Sequence, residues 1–333
     1  MKKLWKNVLI LSFWSILILQ PAMLAAVERE PIKIRFSHVV SENTPKGRGA
    51  LLFKKLAEER LAGKVEVEIL PNSIRFTDDQ VLQGLLFDDI ELAAPSLAKF
   101  KQFSESIQVF DLPFLFDDLE QVHRFQATSI GKGLLNSMLP RGIKGLSYWD
   151  NGMRVISANR LLRTTADLND LLFRIEPSSV IEAQYKSFGA NTFALPFNRV
   201  YDALKVGLVD GQENSWSNIA SRKFYEVQEY LVETKHSFQG YMVVTSVKFW
   251  ERLPADIRDT LEQILEEVTL EVNRIAVEQQ RSSRDSVLKA MGEDRVHTLS
   301  NEERAAWRDA MQPIWEKFRH EIGDEVIQTA AGR

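Results

Sequence analysis

The chain has 333 residues, of which 44% are hydrophobic and 26% are charged, as in a globular protein long enough for two domains. Its 42 basic and 46 acidic residues give a formal net charge of -4, which argues against a nucleic-acid-binding protein because such a protein needs a basic face. The chain contains no cysteine. Disulfides, thiolate metal sites, iron–sulfur clusters and thiol nucleophiles are therefore excluded.

The first residues have the three-part layout of a secretory signal. A positive region with Lys2, Lys3 and Lys6 precedes an uncharged apolar stretch over residues 8–19, and small residues up to Ala26 offer a cleavage zone. The apolar stretch is shorter than the roughly 20 residues that span a bilayer, which disfavours a membrane anchor. We therefore predict that residues 1–26 are a signal peptide and that the mature protein is exported, most simply to a bacterial periplasm.

Hydrophobic periodicity then predicts alternating strands and helices. The predicted elements are strands at 32–36, 65–69 and 91–94, helices over 51–61 and from 77, and a polar loop over 41–49. This order predicts a mostly parallel sheet covered by helices.

The same pattern restarts in the second half of the chain. It predicts a strand over 172–176, a helix from Ser179 to Gly189, a short strand leading to Pro196 and a helix over 201–206. Two α/β units of this kind predict an α/β fold of two lobes with a cleft between them.

The C-terminal part is predicted to be helical. Apolar residues keep helical spacing on one stripe over residues 254–291, which is unusually long for a globular helix and could brace both lobes. A further helix, opened by a capping box of Ser300 with Glu303, is predicted to carry both Trp307 and Trp315.

The common catalytic motifs are missing from the sequence. It contains no dinucleotide- or nucleotide-binding glycine loop, no nucleophile elbow and no zinc-protease helix motif. Its five histidines are scattered without ligand spacing: His38, His123, His236, His297 and His320. We predict no catalytic residue, no metal and no cofactor, although a glycosidase-type carboxylate pair stays open at this level.

Five segments occur in an order that is typical of one family. They are FSH (36–38), DLPF (111–114), WDNGMR (149–154), FRI (173–175) and VDGQEN (209–214). Together they resemble the periplasmic solute-binding proteins of TRAP (tripartite, ATP-independent) transporters, over about residues 31–325. The segments SHVV (37–40) and TPKG (44–47) are similar to the C4-dicarboxylate-binding branch.

The resemblance implies a Venus-flytrap receptor: two α/β lobes that close over an organic acid, with the long helix spanning both. It places residues 30–150 and 240–279 in lobe I and residues 151–239 and 280–333 in lobe II. It also implies a carboxylate ligand such as malate, succinate or fumarate, and delivery to the small and large membrane subunits of a TRAP permease. A receptor for a sugar acid or keto acid, a secreted enzyme and a sensor using the same cleft remain alternatives.

The resemblance also assigns roles to residues of the second lobe. Arg174 matches the arginine that makes the main salt bridge to the ligand, and Arg154 matches a second arginine that commonly contributes. Asn214 matches a hydrogen-bonding asparagine, and Phe197 matches an aromatic residue that packs on the ligand. Some C4-dicarboxylate receptors have lysine where Arg154 stands, which leaves the exact acid open.

The chemistry of these side chains supports such roles, and each has an ordinary alternative. A guanidinium offers a rigid fork of donors that matches both oxygens of a carboxylate. Arg174 could instead pair with Glu176 on the same strand face, and Arg154 could be a solvated loop residue. Asn214 could cap a turn, and Phe197 could belong to the core.

A C4 diacid has a second carboxylate that a group of the first lobe must neutralise. His38, Lys46 and Ser96 are candidates because they follow predicted strands, and ligands of α/β proteins bind at the carboxyl ends of strands. Tyr241 is a weaker candidate. The alternative for these residues is turn or helix-start chemistry and, for the tyrosine, core packing.

Overall fold

The computed structural model describes residues 30–332, so the predicted signal peptide lies outside the described part of the chain. Within that part, none of the helices combines the length and the apolar character that crossing a membrane requires. The strands are β1 Ile32–Ser37, β2 Val65–Leu70, β3 Leu92–Ala93, β4 Ile143–Met153, β5 Val155–Ala158, β6 Leu172–Ile175, β7 Asn191–Ala194, β8 Gly211–Asn214, β9 Tyr230–Glu233, β10 Phe238–Ser246 and β11 Val296–Thr298.

Helices cover both sheets. They are α1 Pro45–Arg60, α2 Val81–Leu86, α3 Leu119–Ala127, α4 Ser129–Asn136, α5 Ser179–Lys186, α6 Val200–Lys205, α7 Trp216–Ser221, α8 Val247–Arg252, α9 Ala255–Met291, α10 Asn301–Met311, α11 Pro313–Ile322 and α12 Asp324–Ala330.

The strands form two mixed sheets, each with one antiparallel strand. The first has the order β2-β1-β3-β10-β4, in which β10 runs antiparallel to both of its neighbours. The second has the order β11-β9-β5-β8-β6-β7, in which β5 is antiparallel to β8 and β9. The predicted α/β fold of two lobes is confirmed, and both sheets are mostly parallel as expected.

The chain crosses between the two sheets at two places that matter for the site. Arg154 alone separates β4 of the first sheet from β5 of the second, and residues 234–237 connect β9 back to β10. The first crossing therefore places the side chain of residue 154 at the junction of the lobes.

The long helix α9 spans both lobes, as predicted. Ile257 and Val272 in its first half pack with Trp149 of the first sheet. Val287 near its end packs with Val155 and Leu231 of the second sheet. At 37 residues it is about 55 Å long. Its apolar stripe is thus shared between the two cores.

Two local predictions differ from the structure. Helix α1 begins at Pro45, inside the predicted loop, because Thr44 caps it by accepting a hydrogen bond from the Gly47 amide at 3.2 Å. The single predicted C-terminal helix is two helices, with Trp307 on α10 and Trp315 on α11. The break falls at Pro313, since a proline nitrogen cannot donate inside a helix.

The last two helices pack near the junction of the predicted lobes. Ile314 of α11 and Ile327 of α12 pack in one cluster with Phe110, which precedes β4. Val180 and Ala183 of α5, in the predicted second lobe, belong to the same cluster. Residues 313–330 thus contact both predicted lobes, and the division into lobes stays a prediction.

Candidate functional site

Three predicted site residues come together at one end of the second sheet. Arg174 on β6 is the register partner of Gln212 on β8, and Asn214 lies two residues further along β8. Because side chains alternate along a strand, Arg174 and Asn214 lie on the same face of the sheet. Phe197 follows β7, the next strand beyond β6. These candidates thus lie where the carboxyl ends of three adjacent strands meet.

Arg174 is a buried cation with an unused donor. Its side chain is 1% exposed, and Nε and Nη2 donate to the carbonyl of Leu195 at 3.0 and 2.8 Å. Nη1 is buried and has no hydrogen-bond partner among residues 30–332. Burial lowers the pKa of Arg174, although the Glu176 carboxylate opposes this shift. An anion placed at Nη1 would therefore satisfy both the donor and the charge.

Arg154 occupies the centre of a network of carboxylates. It is 1% exposed, donates from Nη1 to Glu213 Oε1 at 3.0 Å and from Nη2 to Glu176 Oε2 at 2.9 Å, and lies 3.7 Å from Asp111 Oδ1. Burial disfavours its charge, but Glu213, Glu176 and Asp111 outweigh burial and raise its pKa. Nε donates to the carbonyl of Phe238 at 3.4 Å.

One sequence-based alternative changes as a result. Glu176, the competing partner for Arg174, pairs with Arg154 instead. Burial disfavours its charge, but the arginine lowers the pKa of Glu176 to about 2. All three side-chain nitrogens of Arg154 donate to protein acceptors. Each Nη nitrogen carries a second N–H, so the direct ligand contact that the resemblance implies for Arg154 stays a prediction.

The first-lobe candidates also lie together. Lys46 is fully buried, donates to the carbonyl of Ala94 at 2.8 Å and lies 3.6 Å from the centroid of the Tyr241 ring. Ser96 forms a backbone bridge with Tyr241. His38 is buried, and neither ring nitrogen has a hydrogen-bond partner within the described chain.

Burial dominates the ionisation of this group. It lowers the pKa of Lys46 to about 8, although Asp78 and Glu176 act in the opposite direction. Burial, with Lys46 nearby, lowers the pKa of His38 to about 3, so the imidazole is neutral at physiological pH. Of these candidates, Lys46 is thus the one that carries a positive charge below about pH 8.

A hydrogen-bond chain joins the two halves of the site. The Tyr241 hydroxyl accepts from Asn151 at 2.8 Å and from Asn218 Nδ2 at 3.2 Å, and Asn218 Nδ2 also donates to Asn214 Oδ1 at 2.7 Å. The Glu176 carboxylate acts on the pKa of both Arg174 and Lys46. Buried polar groups of both lobes are thus connected where the lobes meet.

Sequence reasoning missed Asn218, which lies on α7, the helix that follows β8. Asn214 ends the strand and is not on this helix, so helical spacing does not relate the two residues, and no local pattern indicated their hydrogen bond. The tryptophans near the site belong to the core. Trp149 is fully buried and donates to Thr269 Oγ1 at 3.1 Å, and Trp216 is buried with Val155.

Phe197 lies at the edge of the site. Its ring meets Phe224 edge-on at a centroid distance of 6.0 Å, and the guanidinium of Arg222 lies 5.0 Å from its centroid. Over residues 30–332, no group of three acidic or histidine side chains is arranged to hold a metal ion.

Two α/β lobes joined by a long helix, with one buried cation from each, indicate a two-lobed binding protein. Over residues 36–321 the chain matches the family described as bacterial extracellular solute-binding protein, family 7. It therefore belongs to this family. The resemblance to TRAP solute receptors that the sequence segments indicated is confirmed.

Named relatives agree with this assignment. The chain is 44% identical to the C4-dicarboxylate-binding periplasmic protein DctP of Vibrio cholerae, over 92% of each chain. It is similar to a TRAP periplasmic solute-binding protein of Shewanella oneidensis with bound succinate, with 45% identity and a TM-score of 0.88, over 91% of this chain and 99% of that one. A protein of Pseudomonas aeruginosa PAO1 with bound L-malate is 49% identical with a TM-score of 0.84, over 86% of this chain and 100% of that one.

Proposed function

We propose that the protein is an extracytoplasmic receptor that binds a C4-dicarboxylate between its lobes and delivers it to a TRAP permease of small and large membrane subunits. The observation that carries the proposal is the buried Arg174 guanidinium, whose Nη1 has no partner among the described residues. Relatives named for C4-dicarboxylate binding, and two with succinate or L-malate bound, support the choice of ligand.

In this proposal each carboxylate of such a ligand has a cation as its partner. In the proposal, Arg174 binds one carboxylate, with Asn214 beside it, and Lys46 faces the other from the first lobe. At about 4 Å and an effective dielectric constant of about 20, one such pair contributes roughly 4 kcal/mol before desolvation. In the proposal the anion binds the closed arrangement of the lobes more tightly than the open one, and it therefore stabilises the closed arrangement.

The remaining parts of the proposal follow from this role. The receptor performs no chemistry on its ligand, and it works in the periplasm after removal of residues 1–26.

Calorimetric titration of the mature chain with succinate, L-malate and fumarate tests the proposal. We expect one ligand per chain. At a ligand concentration 100 times the dissociation constant, binding should raise the free energy of unfolding by about 2.7 kcal/mol. Butyrate, which has one carboxylate on a chain of the same length, is the matched control and should bind far more weakly. NMR should recover the diacid unchanged. Tighter binding of a sugar acid or keto acid, or turnover of the diacid, would contradict the proposal.

The affinity for succinate should fall as the pH rises above about 8. Only the protonated ammonium of Lys46 attracts a carboxylate, and burial lowers its pKa to about 8, so affinity is highest below that pH. We expect a loss of up to about tenfold per pH unit above it. Titrations at pH 7, 8 and 9 measure the effect, and Lys46→Gln should bind weakly without this dependence. If the affinity of Lys46→Gln for succinate fell equally steeply with rising pH, the titrating group would be one other than Lys46.

A further inference from the structure

Arg222 connects the two lobes directly. It follows α7, the helix that begins immediately after Asn214 and Ser215, and its Nη2 donates to the carbonyl of Val39 at 2.7 Å. Val39 is buried and follows β1 and His38 in the first lobe. One short helix thus runs from a proposed ligand residue to a contact across the cleft.

The environment of Arg222 is unusual for an arginine. Burial lowers its pKa, and its Nε is buried without a hydrogen-bond partner in the described chain. Its guanidinium lies 5.0 Å from the centroid of Phe197, within the range of a cation–π contact. Its favourable contacts are therefore the Val39 carbonyl and the Phe197 ring.

We propose that Arg222 is a positioning residue for ligand retention. Its hydrogen bond to the Val39 carbonyl stabilises the closed cleft, and its guanidinium holds the Phe197 ring at the edge of the site. This inference rests on the proposed function. Val39 and Arg222 belong to different lobes, so opening the cleft breaks their hydrogen bond. The contact therefore acts on the closed complex and slows release of the ligand, while capture by the open form does not need it.

Stopped-flow tryptophan fluorescence with succinate tests the role of Arg222. In Arg222→Gln we expect the dissociation rate constant to rise about tenfold while the association rate constant stays within about twofold. Arg222→Lys keeps the charge and a donor and should recover part of the loss. The melting temperature of the ligand-free protein should be unchanged.

Lys223→Gln is the matched control because it removes a positive charge one residue away. Its ammonium pairs with Glu226 at 3.0 Å within the same lobe, so both rate constants should be those of the wild type. A double-mutant cycle with Phe197→Leu should show a smaller effect of Arg222→Gln in the leucine background.

The outcomes separate this inference from the function on which it rests. Unchanged dissociation in Arg222→Gln, an effect confined to association, or an equal effect of Lys223→Gln would overturn it. If the wild-type protein does not bind succinate or another C4 diacid, the proposed function fails, and the role of Arg222 fails with it.

Discussion

Arg174→Ala is expected to lower the affinity for succinate by two to three orders of magnitude, or about 3–4 kcal/mol. The physical reason is that the ligand carboxylate would still be desolvated by closure but would have lost its cation. Arg154 should not replace the missing guanidinium, because its Nη2 donates to the Glu176 carboxylate at 2.9 Å. Calorimetry on the purified ligand-free variant measures the loss.

Arg174→Lys refines the same prediction. It keeps the charge but loses the two donors that fix the guanidinium on the Leu195 carbonyl, and with them the planar fork. We expect a loss of about tenfold or more, between wild type and alanine. Exposed Arg141, in the first lobe, supplies the control: Arg141→Ala should bind as wild type does. Wild-type affinity in Arg174→Ala would remove Arg174 from the site.

The sequence predicts those parts of the fold that depend on local patterns. The alternation of β1 and β2 and the apolar stripe of α9 give the elements and their type directly. Strand β10 was not predicted, because all nine of its residues are buried and no alternation marks it. Its pairing with β4 joins segments far apart in the chain, which no local pattern encodes.

The site shows the same division between local and long-range information. Arg174 and Asn214 could be named as candidates because short segments carry them, and their ligand roles stay predictions. The ion-pair partner of Glu176 could not be predicted. Two-residue spacing on a strand favours Arg174, whereas the actual partner is Arg154, which lies at the crossing between the sheets. The cross-lobe contact of Arg222 with Val39 likewise has no signal in the sequence.

Arg154→Ala is expected to lower the free energy of unfolding of the ligand-free protein by about 3–5 kcal/mol at neutral pH. The substitution leaves the carboxylates of Glu213, Glu176 and Asp111 buried without the cation that they share. The loss should shrink as the pH falls. In the wild type, Arg154 lowers the pKa of Glu176 to about 2, and this stabilisation is complete above the usual glutamate pKa and disappears as the pH falls towards 2.

Urea denaturation followed by circular dichroism, at pH 7 and pH 4, measures this loss of stability. The informative comparison is with ligand-free Arg174→Ala. Among residues 30–332 no carboxylate forms a direct ion pair with Arg174, so its removal should leave the fold nearly as stable as wild type. The two arginines are equally buried, so burial alone predicts the same result for both. If Arg154→Ala instead keeps wild-type stability and loses succinate binding, Arg154 is a ligand residue and the network around it is secondary. Loss of stability without Arg154, and loss of ligand without Arg174, would assign one arginine to the fold and the other to the anion.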